Sequence, residues 1–189
     1  MRNKVLLRIA RISMFTAVAL IMHYLENLLP PLLAFAPGSK MGLSNVVTLA
    51  AIILLGYFDA FVILIIRCFL ASLFGNVFGL VYSLGGGICA FIVMSLLYRF
   101  TSPKVSLIGI SVAGAVVHNI IQTIIAASIV QQINIILILP LMLVASIIAG
   151  VFVGLVVYFL VKNLPLNLFT DNAVPSSEAD IDKIFKEKD

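Results

Sequence analysis

A chain of 189 residues that is 62% hydrophobic and only 11% charged is unlike a soluble domain, because soluble domains carry about 45–50% apolar and about 25% charged residues. Up to Lys162 the acids are Glu26 and Asp59, set against nine Lys and Arg, whereas the last 27 residues hold six acids and three lysines. Basic residues that flank apolar stretches are typical of membrane topology rather than nucleic-acid binding. The composition therefore predicts an all-α integral membrane protein in a lipid bilayer, with no nucleic-acid partner.

Six apolar segments are predicted as transmembrane helices, since crossing a bilayer core about 30 Å thick takes roughly 20 apolar residues. The first segment is too long for a signal peptide and ends at Pro30-Pro31. The glycine-rich stretch 75–87 is interpreted as an irregular connection, and Pro140 is expected to kink the last helix. In chain order the predicted helices are 5–29, 42–55, 58–74, 88–100 (with a start about a turn earlier), 106–130 and 135–161.

Six spans place both termini on one side of the membrane, and the basic residues decide which side. Seven Lys and Arg fall on the terminal side, and Lys40 alone falls in the opposite loops. The positive-inside rule then predicts a multi-pass protein of the cell membrane with cytosolic termini. Residues 1–161 form the predicted six-helix domain, and residues 162–189 a polar cytosolic tail with at most one short helix.

Arg67 is predicted to lie near the middle of the third helix. An ionisable residue at that depth costs about 2.5–3.5 kcal/mol on insertion scales, so it is expected to face the bundle interior. Asp59 lies eight residues earlier, about 12 Å along the axis, which is too far for a direct ion pair. Arg67 is therefore either hydrogen-bonded to carbonyls and amides or available to an anionic ligand.

Helix 5 carries a polar stripe that includes His118 and Gln122 on one face, with Asn119 beside it. Small and polar residues in membrane helices often serve only close packing and interhelical hydrogen bonding. These three residues are more polar than packing requires, so a ligand site is the second interpretation.

The outer rim offers a third polar group. Around the predicted start of helix 2, tight turns at Gly38 and Gly42 would expose N–H donors suited to an anionic group. The alternative interpretation is that these rim residues are simply exposed to solvent. The rim residues are His23, Glu26, Asn27, Lys40, Asn45 and Asn76, of which Lys40, Asn45 and Asn76 are predicted to bind the ligand.

Three segments resemble the bacterial Gx transporter family, which is also named heptaprenyl diphosphate synthase component I. They are residues 40–49 (KMGLSNVVTL), 84–87 (LGGG) and 114–122 (GAVVHNIIQ), and the similarity extends to about Val161. This family is in turn similar to the substrate-binding S components of energy-coupling factor (ECF) transporters. That resemblance implies six helices, an outward-facing ligand pocket, a transmembrane coupling protein and two cytosolic ATPases that hydrolyse the ATP. It also implies docking through small residues of helix 1, here Ala10, Ser13 and Ala17, where Ser13 replaces the usual alanine.

The leading hypothesis is an S-component-like subunit that binds a small anionic metabolite, vitamin-like, flavin-type or a prenyl diphosphate precursor. Lys40, Asn45 and Arg67 would receive the anionic part, while His118, Asn119 and Gln122 would donate or accept oriented hydrogen bonds. Catalysis is not expected, because the chain has neither a clustered aspartate motif for Mg²⁺-diphosphate nor a phosphate-binding loop. No intrinsic cofactor or metal is expected. The alternatives are a structural or assembly subunit of a membrane complex, such as an electron-transfer system, and an isoprenoid-precursor binding protein.

Overall fold

The computed structural model describes residues 2–28, 42, 44–73, 77–101 and 105–164. Within these ranges the chain forms α-helices and one 3-10 helix, with no β-strand, which confirms the predicted all-α class. The α-helices are α1 (Arg2–Leu28), α2 (Ser44–Leu54), α3 (Tyr57–Leu73), α4 (Val77–Thr101), α5 (Leu107–Val130) and α6 (Leu139–Asn163).

In the part of the chain that the structure describes, four segments are long and apolar enough to cross a membrane, as expected of a multi-pass membrane protein. They are Lys4–Glu26, Phe78–Thr101, Leu107–Val130 and Ile133–Asn163. The other two helices, α2 and α3, have only 11 and 17 residues. At a rise of 1.5 Å per residue α2 is about 16 Å long, roughly half the thickness of a bilayer core.

The short helix α2 lies at the centre of the bundle. All of its residues are buried, and it contacts each of the other five α-helices. Those five follow one another as neighbours in the order α1, α3, α4, α5, α6. Apart from Ser44, Asn45 and Thr48 the helix consists of apolar residues, and a helix with such a composition is suited to a fully buried position. The outer helices α1 and α6 instead leave most of their apolar residues exposed, which fits contact with lipid.

The stretch 75–87 was expected to be irregular, and from Val77 onward this is wrong, because α4 begins there. Gly85, Gly86 and Gly87 lie within the helix, where neighbouring helices pack closely against them, rather than in a turn. A Cβ at Gly86 would lie 2.9 Å from Cγ of Gln122, and one at Gly85 would overlap Ile125. A glycine costs about 0.5–1 kcal/mol in a helix interior, and here the close approach of α5 offsets that preference.

The predicted kink at Pro140 is also wrong. A 3-10 helix (Ile133–Ile138) precedes α6, and Pro140 lies in the first turn of α6. A proline is well placed there, because its missing N–H would have no partner within the helix. The last helix therefore begins at Leu139 rather than at residue 135, after a turn in which Gln131 has a left-handed backbone conformation (φ 55°).

Two glycines of α6 bring α5 and α6 unusually close. A Cβ at Gly150 would lie 2.6 Å from Cα of Val112, and one at Gly154 would lie 2.6 Å from Cα of Ile108. The two glycines are four residues apart, which is the small-xxx-small spacing that lets membrane helices approach at backbone distance. This contact fixes the position of α5, and with it the polar stripe.

Candidate functional site

Arg67 lies on the buried stripe of α3, on the same face as Ile63 and Leu64. Its residue surface is only 3% exposed. Its Nη2 lies 3.8 Å from Sγ of Cys68, a weak contact, and its Nη1 has no hydrogen-bond partner in the described part of the chain. No carboxylate among the described residues forms an ion pair with this guanidinium.

Asp59, the nearest acid along the helix, is engaged elsewhere. Nε of Arg8 donates to its two carboxylate oxygens at 2.9 and 3.1 Å, and Nη2 of Arg8 lies 2.5 Å from Oδ1. The Arg8 guanidinium also lies over the ring of Phe58, 5.4 Å from its centroid. This contact ties α1 to the start of α3 and confirms that Asp59 is not the partner of Arg67.

The depth of Arg67 follows from the connection between α2 and α3. Leu55 and Gly56 join the two helices in a tight turn, in which both N–H groups donate to the carbonyl of Ala51. Helices that are in contact and joined so briefly run antiparallel. Ser44 lies ten residues before the end of α2, and Arg67 ten residues after the start of α3. Both are about 15 Å from the turn, so Arg67 is level with the N-terminus of α2.

The N-terminus of α2 carries a second incompletely bonded group, the side chain of Asn45. It is only 3% exposed, and neither its Nδ2 nor its Oδ1 has a hydrogen-bond partner within the described residues. Its backbone N–H donates to the carbonyl of Gly42 at 2.8 Å, and Gly42 adopts a left-handed conformation (φ 73°). The predicted glycine turn before this helix is thus confirmed at Gly42.

Glu26, one of the rim residues, also belongs to this region, and the structure excludes the interpretation that it is simply solvated. It is only 8% exposed, and its Oε1 accepts a hydrogen bond from the backbone N–H of Gly42. A carboxylate at this point satisfies one of the donors that precede the helix. One clue in the sequence was that Glu26 is one of just two acids in the first 162 residues.

The glycine run of α4 brings Arg67 towards the polar stripe of α5. A Cβ at Gly87 would lie 3.6 Å from Nη2 of Arg67. A Cβ at the adjacent Gly86 would lie 3.1 Å from Cε1 of His118 and 2.9 Å from Cγ of Gln122. Larger residues at these two positions would fill the space between α3 and α5. Arg67, His118 and Gln122 therefore border the same part of α4.

Asn119 points to a different neighbour and has a packing role. Its Nδ2 donates to Oγ of Ser146 on α6 at 2.6 Å, and that hydroxyl donates to the carbonyl of Met142 at 2.6 Å. Its Oδ1 has no hydrogen-bond partner within the described part of the chain. Gln122 donates to the carbonyl of Tyr82 on α4 at 3.5 Å, a long hydrogen bond. The stripe thus contributes interhelical bonds, as the packing interpretation expected.

The small residues of α1 face away from the bundle. Ala10, Ser13 and Ala17 are exposed, whereas Phe15 and Ala19 are buried against it. A partner helix could therefore reach the Ser13 and Ala17 pair.

Some predicted positions fall outside the described residues. They are Lys40, Asn76 and the tail from residue 165 onward.

Among the described residues no group of three His, Cys, Asp or Glu side chains could hold a metal ion. A buried guanidinium level with the N-terminus of an 11-residue helix, and with an incompletely bonded carboxamide, is suited to an anionic group.

A comparison of the sequence with known protein families finds one match. The model of the family described as heptaprenyl diphosphate synthase component I matches residues 15–160, which include all six α-helices in whole or in part. No curated protein and no solved structure matches the chain. Because the match covers well over half of its length, the chain belongs to the heptaprenyl diphosphate synthase component I family.

Proposed function

We propose that this protein is the membrane-embedded substrate-binding subunit of an ECF-type transporter for a small metabolite with an anionic group. The observation that carries the proposal is Arg67, a residue only 3% exposed whose guanidinium has an unpartnered Nη1 and no ion pair among the described residues. A charge in that position is costly unless something compensates it. An anionic ligand would supply the compensation that the described residues do not provide.

The second half of the proposed site is Asn45, level with Arg67 at the N-terminus of α2. Within the described residues neither polar atom of this buried carboxamide has a partner, so its hydrogen bonds are left to a ligand or to water. Lys40, His118 and Gln122 extend the site towards the outer mouth and towards α5. Neither a catalytic step nor an intrinsic cofactor is assigned to the chain, and ATP hydrolysis belongs to the partner.

The proposed topology has six crossings with both termini in the cytosol. In this arrangement the Arg8–Asp59 pair, Arg99 and Lys162 lie at the inner surface, as the positive-inside rule requires. The N-terminus of α2 then opens to the outer side. The exposed Ala10, Ser13 and Ala17 of α1 would meet a transmembrane coupling protein that carries two cytosolic ATPases.

Native mass spectrometry of the full chain, extracted mildly with its lipids, tests the proposal. The expected spectrum contains a bound small molecule of one reproducible mass in the wild type and in Ser128→Ala, an exposed control on α5. The molecule should be absent from Arg67→Gln and Asn45→Ala. Co-purification of an ATPase module supports the coupled mechanism. No bound molecule in any lipid condition would refute the proposal.

A second candidate is an assembly subunit of a prenyl diphosphate synthase complex, or a protein that binds an isoprenoid precursor. The family name favours it, and the Asn119–Ser146 hydrogen bond supports a packing role for the polar stripe. The same spectra separate the two candidates. A prenyl synthase subunit bound in place of an ATPase module, with assembly lost in Asn119→Ala, would favour the second one.

A further inference from the structure

We infer that a second anion site lies where α3 begins and α4 ends, and that Tyr57, Ser95 and Arg99 bind a phosphate-bearing group there. The inference goes beyond the proposed function, because this site is separate from the one that contains Arg67. It starts from two hydroxyl groups that are shielded from solvent. Neither Oη of Tyr57 nor Oγ of Ser95 has a hydrogen-bond partner in the described part of the chain.

The helices α3 and α4 pack against each other as antiparallel neighbours, because only residues 74–76 separate them along the chain. Two contacts fix their register. A Cβ at Gly87 would lie 3.3 Å from Cδ1 of Leu64, and the ring centroids of Phe61 and Phe91 lie 5.5 Å apart. A step of three residues back along α3 thus matches a step of four residues forward along α4. These residues define the α3–α4 seam.

The next turn of the α3–α4 seam carries the two hydroxyl groups. Tyr57 lies four residues before Phe61, and Ser95 lies four residues after Phe91. Residues four apart share one face of a helix, so both side chains belong to the seam and lie at the same level. Arg99 follows Ser95 by four more residues and continues the same face of α4.

Arg99 brings a positive charge to this end of the seam. Its side chain is exposed, and its guanidinium lies 5.8 Å from the ring centroid of Phe100. The charge of this guanidinium also acts on the hydroxyl of Tyr57, which indicates that the two groups are near each other. No carboxylate among the described residues forms an ion pair with Arg99, and Asp59, two residues after Tyr57, is bound by Arg8.

The chemistry of these three side chains favours a phosphate. Two hydroxyl donors and a guanidinium suit a group that carries a negative charge and several acceptor oxygens. The apolar span of α4 ends at Thr101, so Arg99 lies near the level at which a bilayer carries its headgroups. Phe61, one turn deeper, is exposed and could contact an acyl chain. The phosphate could therefore belong to an anionic lipid or to a soluble phosphate ester.

Native mass spectrometry of the full chain in detergent tests the inference with three probes. They are dioleoyl phosphatidylglycerol, dioleoyl phosphatidylcholine and glycerol 3-phosphate. The two lipids share their acyl chains and differ in net charge, and the third probe has the phosphate without acyl chains. In the wild type we expect phosphatidylglycerol to bind about tenfold more tightly than phosphatidylcholine, or more. Glycerol 3-phosphate binding with the same dependence on residues would identify a soluble ester as the source, and its absence would identify a lipid.

Five variants assign the binding to residues. Tyr57→Phe and Ser95→Ala each remove one hydroxyl and should weaken the binding of phosphatidylglycerol by about tenfold. Arg99→Gln should weaken it by at least as much. Lys162→Gln is the matched control, because it removes the same charge from an exposed residue at the end of α6. This control and Arg67→Gln should each stay within about threefold of the wild-type affinity.

Equal losses in Arg99→Gln and Lys162→Gln would overturn the inference, because they would indicate a general attraction to the basic surface. Unchanged affinity in Tyr57→Phe and Ser95→Ala, both shown to be folded by far-UV circular dichroism, would overturn it too. So would the absence of any preference between the two lipids in the wild type, which needs no variant. Binding lost only in Arg67→Gln would place the probes in the other site, so this inference would fail while the proposed function stands.

Discussion

Replacing Arg67 by methionine should make the protein more stable while it abolishes ligand binding. Arg67 is only 3% exposed and its guanidinium has no ion pair among the described residues, so none of these residues compensates its charge. Placing an arginine in the middle of a membrane costs about 2.5–3.5 kcal/mol on insertion scales. The weak contact of its Nη2 with Sγ of Cys68 offsets little of that free-energy cost. An apolar side chain of similar length should therefore raise the free energy of unfolding by about 1–3 kcal/mol.

Arg8 provides the matched control, because it is the arginine whose partner is known. Arg8→Met leaves the buried carboxylate of Asp59 without its ion pair. Breaking a fully buried pair costs about 3–5 kcal/mol, but the Arg8 side chain is 45% exposed and solvent screens part of the interaction. We expect the free energy of unfolding to fall by about 1–2 kcal/mol in this variant. The two substitutions are chemically identical and should shift stability in opposite directions.

The assay is equilibrium unfolding in mixed micelles by titration with a denaturing detergent. The chain has no tryptophan, so far-UV circular dichroism is the suitable signal. Ligand binding is measured in parallel by native mass spectrometry. If Arg67→Met lowers the free energy of unfolding by about 2 kcal/mol or more, the guanidinium is a structural contact rather than a ligand-binding group. The reasoning that leads from its burial to the proposed function would then be wrong.

Two further predictions follow from the packing of α5 and of α1. Gly154→Ala should destabilise the bundle by about 1–3 kcal/mol, since its Cβ would lie 2.6 Å from Cα of Ile108 and the two backbones would have to separate. Gly114→Ala meets only the flexible Met94 side chain, so equal losses in the two variants, measured by the same titration, would contradict this account. The double substitution Ser13→Leu and Ala17→Leu should leave the free energy of unfolding within about 0.5 kcal/mol of the wild-type value. It should nevertheless abolish co-purification of a coupling partner. Normal co-purification would mean that the partner docks on another surface.

The sequence by itself determined the class and the approximate limits of most helices. Segregated charges and long apolar runs required a helical membrane protein, because only helices satisfy every backbone hydrogen bond within one segment. The burial of Arg67 was also predictable, since lipid excludes a charge at that depth. The glycines at 85–87 were misinterpreted because local propensity favours a break there, whereas in the fold they are helical and pack closely against α5 at Gly85 and Gly86 and against α3 at Gly87.

Only the tertiary structure decided which polar groups meet. The sequence left Glu26 as one of several rim residues and Asn119 with both a packing and a ligand-binding interpretation. The fold buries Glu26 against the backbone N–H of Gly42 and directs Nδ2 of Asn119 to Ser146 on α6. These contacts join residues 16 and 27 positions apart. Their formation depends on how helices pack around α2, and side-chain spacing within one helix carries no information about that arrangement.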